Sequence, residues 1–159
     1  MIKSYIKRIG LGRIATVVYL LIAGVTSAHA TLPSGQQVVD GSAGFHSDGS
    51  LMQITASDGS IIHYQSFDIG AQNTVQFIQP GADASVLNRV TGSANPSQIL
   101  GTLSANGQVY LANPAGITFG QDAMVDVGAL FAAAGNIADD DYLSGDKRFT
   151  GLEGPVKTY

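Results

Sequence analysis

The chain has 159 residues, with 8 basic and 12 acidic side chains, 20 glycines and no cysteine or tryptophan. The lack of cysteine excludes a disulfide framework and thiolate chemistry. Sparse Lys and Arg argue against nucleic acid, whose phosphates need clustered bases, and against electrostatic docking on anionic lipid.

Residues 1–30 read as a secretory signal peptide. Lys3, Lys7, Arg8 and Arg13 form a basic start with no acid, Ile14 to Val25 form an apolar core, and Ala28 and Ala30 put small residues where cleavage needs them. The apolar run falls short of the about 20 residues that span a bilayer. The segment predicts engagement of the inner-membrane export machinery, with Thr31 the first mature residue. The mature chain, 159 − 30 = 129 residues, is long enough for one domain with its own core. It keeps four bases (Arg89, Lys147, Arg148, Lys157) against twelve acids, 4 − 12 = −8, compared with −4 for the whole chain.

Short apolar runs then follow one another between turn residues. Strands are expected at Gln36–Val39, Leu51–Thr55, Ile61–Phe67, Val75–Ile78, Val86–Val90, Ile99–Leu103, Gln108–Ala112, Ile117–Phe119 and Met124–Val127, with Asp40 to Ser50 a turn-rich link. Asp58-Gly59 suits either a hairpin or a corner between coils. The spacing fits a sandwich, a barrel or a β-solenoid, and no repeat of fixed period chooses among them. Asn113-Pro114-Ala115-Gly116 reads as a type I turn, because Ala at the third place does not suit the positive φ of type II. Gly128 to Ala138 combines alanine helix propensity with interruptions at Gly135 and Asn136. Asp139 to Gly145 is expected to form one helical turn, acids at its N-terminal end and Gly145 at its C-terminal stop. Phe149 to Gly154 should return to strand.

No catalytic constellation emerges. His46 lies near Asp48 and His63 near Asp68, but no nucleophile elbow accompanies them. Asp139 to Asp141 lack the alternating oxygen ligands and tight Gly turn of a calcium loop. Asp58, Asp68, Asp122 and Asp126 are too dispersed to make the acid pair of a β-helical polysaccharide lyase or hydrolase. The sequence therefore predicts no enzyme, no cofactor and no metal.

The ordered series Leu87-Asn88-Arg89-Val90, Asn95-Pro96-Ser97-Gln98-Ile99-Leu100-Gly101, Ala105-Asn106-Gly107-Gln108-Val109-Tyr110-Leu111 and Asn113-Pro114-Ala115-Gly116-Ile117, then Phe119-Gly120, resembles the N-terminal secretion domain of filamentous-haemagglutinin-type exoproteins of two-partner secretion. The likeness runs from about Gly35 to Gly151. This chain has Ala115 where the family pattern has a second asparagine, and it lacks the family's Asn-Pro-Asn-Leu. The resemblance implies an all-β domain over 31–154: a right-handed parallel β-helix, a single-stranded pectin-lyase-like solenoid with added N-terminal capping strands. Residues 155–159 would be a tail. It also implies that Gly128 to Ala138 is strand and that the solenoid is C-terminally incomplete, its open edges favouring marginal stability or association.

By the same resemblance the function is secretion targeting. The periplasmic POTRA domains of an outer-membrane transporter would recognise the domain, and the route would lead to the surface of a Gram-negative bacterium. Asn113, Pro114, Ala115 and Gly116, with Asn95, Pro96, Ser97 and Ile99, are the candidate motif residues. The alternative is an adhesin or haemagglutinin domain with host or cell-surface glycans as partners. It would need exposed aromatics, whereas strand alternation places Tyr64, Phe67, Phe77 and Tyr110 in or beside the core.

Overall fold

The computed structural model describes residues 31–159. The signal peptide expected over 1–30, with its cleavage residues Ala28 and Ala30, lies outside the described residues. Within the described residues thirteen strands and one short helix follow one another. They are β1 (Gln37–Asp40), β2 (Ala43–Asp48), β3 (Leu51–Ala56), β4 (Ser60–Tyr64), β5 (Thr74–Ile78), β6 (Ser85–Val90), β7 (Ser97–Ile99), β8 (Thr102–Ala105), β9 (Gln108–Ala112), β10 (Ile117–Phe119), β11 (Met124–Asp126), β12 (Ala129–Ala133), α1 (Asp139–Leu143) and β13 (Val156–Thr158).

They form a parallel β-helix with three sheets. One runs β11-β8-β5-β3-β2, the second β1-β4-β6-β9-β12, and the third β13-β10-β7. From the second coil on, each coil contributes a strand to each sheet in turn; the first gives β3 and β4 and meets the third sheet only through a bridge from Ile69 to Ile99, and pairing between coils is parallel. The first-sheet position of Leu51 recurs at Thr74, Thr102 and Met124. Those steps are 74 − 51 = 23, 102 − 74 = 28 and 124 − 102 = 22 residues, so the geometry repeats while the sequence period does not. β1 and β2 close the N-terminal end by pairing antiparallel with β4 and β3.

Inward side chains stack in columns: Met52 on Val75 on Leu103, and Ile54 on Phe77. Burying such a side chain contributes about 1.5–3 kcal/mol each. The second sheet is buried on both faces, which is why β4, β6 and β9 lack clean alternation. On its outer face Ile61, Leu87, Tyr110 and Phe131 lie in register. Residues 134–155, which interrupt the fourth coil between β12 and β13, lay Ile137, Tyr142 and Phe149 over them. Tyr110 stacks on Phe131 at 4.4 Å and meets Tyr142 edge-on at 5.4 Å, while Lys147 Nζ sits 4.7 Å from the Tyr110 ring centre.

Several expectations need correction. Of the two readings open for Asp58-Gly59 the corner is the one observed, because β3 and β4 lie in different sheets. The run Ile99–Leu103 divides into β7 and β8 around Leu100-Gly101, and the expected strand Ile61–Phe67 stops at Tyr64. The turn-rich link contains β2. Residues 149–154 form no strand; Thr150 makes a single bridge to Asn136. The expected tail instead contains β13, the third-sheet strand of the last coil, paired parallel with β10. Helix α1 and the positive φ of Gly145 match the expected helical turn.

Candidate functional site: the stacked corner

The candidate motif residues meet at the corner between the second and third sheets. Register places Ser97 beneath Ile117 and Val156 above it. Asn95 and Pro96, Ala115 and Gly116, and Gly154 and Pro155 therefore stack in three successive coils. The buried Asn113 side chain joins two of these levels. Its Nδ2 donates to the Asn95 carbonyl at 3.1 Å and to Ser97 Oγ at 3.0 Å, while its Oδ1 accepts from the Ala115 N–H at 2.9 Å. The Gly116 N–H donates to the Asn113 carbonyl at 2.9 Å, closing the β-turn, and Ala115 keeps negative φ as a type I turn requires.

Gly116 is needed on two grounds. Its φ is +119°, and a Cβ there would lie 2.8 Å from the Pro155 carbonyl oxygen of the coil above. Ser97 is buried in this network, and Ile99 points into the core rather than to the corner. Pro114 and Asn95 are exposed, whereas Pro96 and Ala115 are half-buried. The corner thus has a buried bracket and an outward face. Beside it runs a cleft of about 270 Å³ lined by Arg89, Val90, Thr91, Ser93, Pro114 and Asn136.

The same device recurs at other corners, where the backbone ladder lapses and a side chain carries the bond to the next coil. Asp58 Oδ1 accepts from the Ser85 N–H and Asp68 Oδ1 from the Gln98 N–H, each at 2.8 Å. Asn106 pairs with both the N–H and the carbonyl of Gln79 at 2.7 Å. Asp58 and Asp68 therefore brace coils, a role that sequence spacing did not single out.

One ionic cluster lies on the outer face of the second sheet. His63 and Arg89 are register neighbours on β4 and β6. Asp139, at the start of α1, bonds Arg89 Nη1 and lies 3.0 Å from His63 Nε2. His63 is thus paired with Asp139 and not with Asp68. Burial alone would raise the Asp139 carboxyl, but hydrogen bonds from Arg89 and His63, with their charges, outweigh it and hold the group below the ordinary value of 3.8. A carboxyl lowered by folding stabilises the fold above its unfolded value, and that contribution is lost as pH falls through the lower folded value. Acidification below about pH 4 should therefore loosen residues 134–155 first. Asp139→Asn should cost about 1 kcal/mol at neutral pH, since the pair stays partly open to solvent. Near-UV circular dichroism of the Tyr110–Tyr142 contact across a pH series checks both; a wild-type signal that stays flat until global unfolding would refute the coupling.

Tyr64, Phe67, Phe77 and Tyr110 are all buried, so none offers a sugar-binding platform. Among the described residues no group of three or more His, Cys, Asp or Glu side chains could hold a metal ion.

Comparison with known proteins agrees with this architecture. The sequence profile of the family described as TPS secretion domain matches residues 28–154. A heme/hemopexin-binding protein of Haemophilus influenzae is 44% identical over 121 residues, covering 75% of this chain and 13% of that protein. A second Haemophilus influenzae protein of that description is 44% identical over 94 residues, 59% of this chain and 10% of its own length. The chain thus spans about an eighth or less of these relatives. The crystal structure of the HMW1 secretion domain from Haemophilus influenzae superposes with a TM-score of 0.72 at 33% identity, covering 79% of this chain and 34% of that one.

Proposed function

This chain belongs to the TPS secretion domain family, and on that premise we propose that its β-helix is an address, recognised in the periplasm by the POTRA domains of an outer-membrane transporter that exports it to the cell surface. The division of labour within the stacked corner supports this reading. Asn113, Ser97 and Gly116 are spent on internal bonding and close packing, so their part is to set the shape. Pro114 and Asn95 are exposed on that shaped surface and remain free to touch a partner. Pro96 and Ala115 are half-buried in the same corner, while Ile99 is held in the core.

The test is co-expression with an outer-membrane transporter of two-partner secretion. Pro114→Ala should leave melting within about 0.5 kcal/mol of wild type, as exposed substitutions do, and should lower the amount secreted. Unchanged secretion with unchanged stability would remove the corner's outer face from recognition. Secretion of wild type without any such transporter would remove the whole reading.

A further inference from the structure

Two antiparallel strands close the N-terminal end of the solenoid, and they differ in how their free edges are treated. Exposed edges are ordinarily blunted by a bulge, a proline, a lysine or a covering segment. β1 shifts register between Val38 and Asp40, the irregularity that discourages a further strand. β2 keeps unbroken register with β3 for six residues, from Ala43 opposite Ala56 to Asp48 opposite Leu51. It holds no proline and no lysine, is exposed along nearly its whole length and, among the described residues, ends its sheet.

The bonding phase of this edge follows from one contact. The Ser57 N–H donates to the Ser42 carbonyl at 2.9 Å. Antiparallel alternation then turns the backbone groups of Gly44, His46 and Asp48 towards β3. It turns those of Ala43, Phe45 and Ser47 towards the open side. Charge narrows the choice of occupant. Residues 31–88 contain five acids, Asp40 just before β2 and Asp48 at its end among them, and no Lys or Arg. A second copy of this edge would meet its own charge, whereas a basic strand would be attracted.

We infer that the free edge of β2 takes up an extended strand bearing basic residues from the periplasmic portion of the transporter, bonded through the main chain of Ala43, Phe45 and Ser47. This rests on the transporter recognition proposed above and adds to the corner's outer face a second contact, at the N-terminal end of the first sheet.

Hydrogen exchange on the full chain, with and without the purified periplasmic portion of the transporter, tests it. Binding should slow exchange at Ala43, Phe45 and Ser47 and should weaken as salt is raised. Ser47→Pro removes an outward N–H without touching the β2–β3 ladder. It should weaken binding about tenfold, the worth of a bond or two, with melting unchanged. Binding that protects other amides, or a folded Ser47→Pro chain that binds like wild type, overturns the edge assignment but leaves transporter recognition standing. No binding by wild type overturns both. Protection of the same three amides in the chain alone, rising with its concentration, gives the edge to a second copy and overturns the proposal. Should Ser47→Pro melt lower, the wild-type exchange pattern decides.

Discussion

Asn113→Asp should be among the most damaging conservative substitutions in this domain. The side chain is buried, and both hydrogens of its amide are used, one on the Asn95 carbonyl and one on Ser97 Oγ. A carboxylate of the same shape keeps the bond from the Ala115 N–H but sets an ionised oxygen against a carbonyl oxygen in a site closed to water. Losing both donor hydrogens and desolvating a charge together should cost about 2–4 kcal/mol. Asn113→Ala, which removes the donors without adding charge, should cost about 1–3 kcal/mol. The order of the two variants is diagnostic. Protonating the introduced carboxyl restores a donor, so the deficit of Asn113→Asp should shrink as pH falls, whereas that of Asn113→Ala should not. Denaturant melts at two pH values measure this. Equal stability of wild type and Asn113→Asp at neutral pH would show that the bracket does not hold the coils together.

How much of this was legible in the sequence depended on where each element keeps its information. Strands between turn residues were readable because Val, Leu and Ile fill an inner column and Asn, Asp and Gly make the corners. β2 was not. The segment AGFHSD caps an end, both its faces are largely exposed, and no alternating pattern is imposed on it. The run from Ile99 to Leu103 looked continuous because its apolar letters pass through a corner, and a sequence carries no mark at the point where a chain changes sheets. β13 was missed because its pairing partner is β10, across the helical excursion that interrupts the fourth coil. The solenoid could be separated from a sandwich only by resemblance, because coil lengths of 23, 28 and 22 residues erase the period.

The candidate site was legible to a similar degree. The Asn113 turn is local, so its type follows from four residues. What Asn113 grips lies in the coil below, and Asp139 finds Arg89 and His63 at separations of 50 and 76 residues. Side chains that brace across coils look in sequence like ordinary turn formers. Asp58 was therefore legible as a turn residue and Asp68 only as a dispersed acid, and neither of them, nor Asn106, announced its bond to Ser85, Gln98 or Gln79. Turn chemistry and inter-coil bracing call for the same residue types, and only coordinates separate them.

Gly101→Ala should be the costliest glycine-to-alanine change among the described residues. Gly101 sits where the second coil passes into the third, and its φ is not positive, so backbone preference is not what requires glycine. The requirement is room. A Cβ built there would lie 2.2 Å from the Gly70 carbonyl oxygen and 2.3 Å from that of Asn73, both in the coil beneath. Neither oxygen can move freely. Gly70 accepts from the Asn73 N–H at 2.8 Å, and Asn73 accepts from the Thr102 N–H at 2.9 Å, a bond that itself ties the two coils. Relief would have to separate strands that pair at about 4.8 Å, breaking ladder bonds on either side. The expected loss is about 3 kcal/mol or more, read as a fall in denaturation midpoint with little change in slope. Gly81→Ala is the matched control. A Cβ there meets nothing within 4 Å and φ is again not positive, so the smaller entropy of the unfolded chain should leave it neutral or stabilised by about 0.5 kcal/mol. If stacking at this corner limits stability, Gly101→Ala should also be poorly secreted while Gly81→Ala is secreted normally. A Gly101→Ala chain that melts with wild type would mean that the two coils do not approach as closely as these distances require.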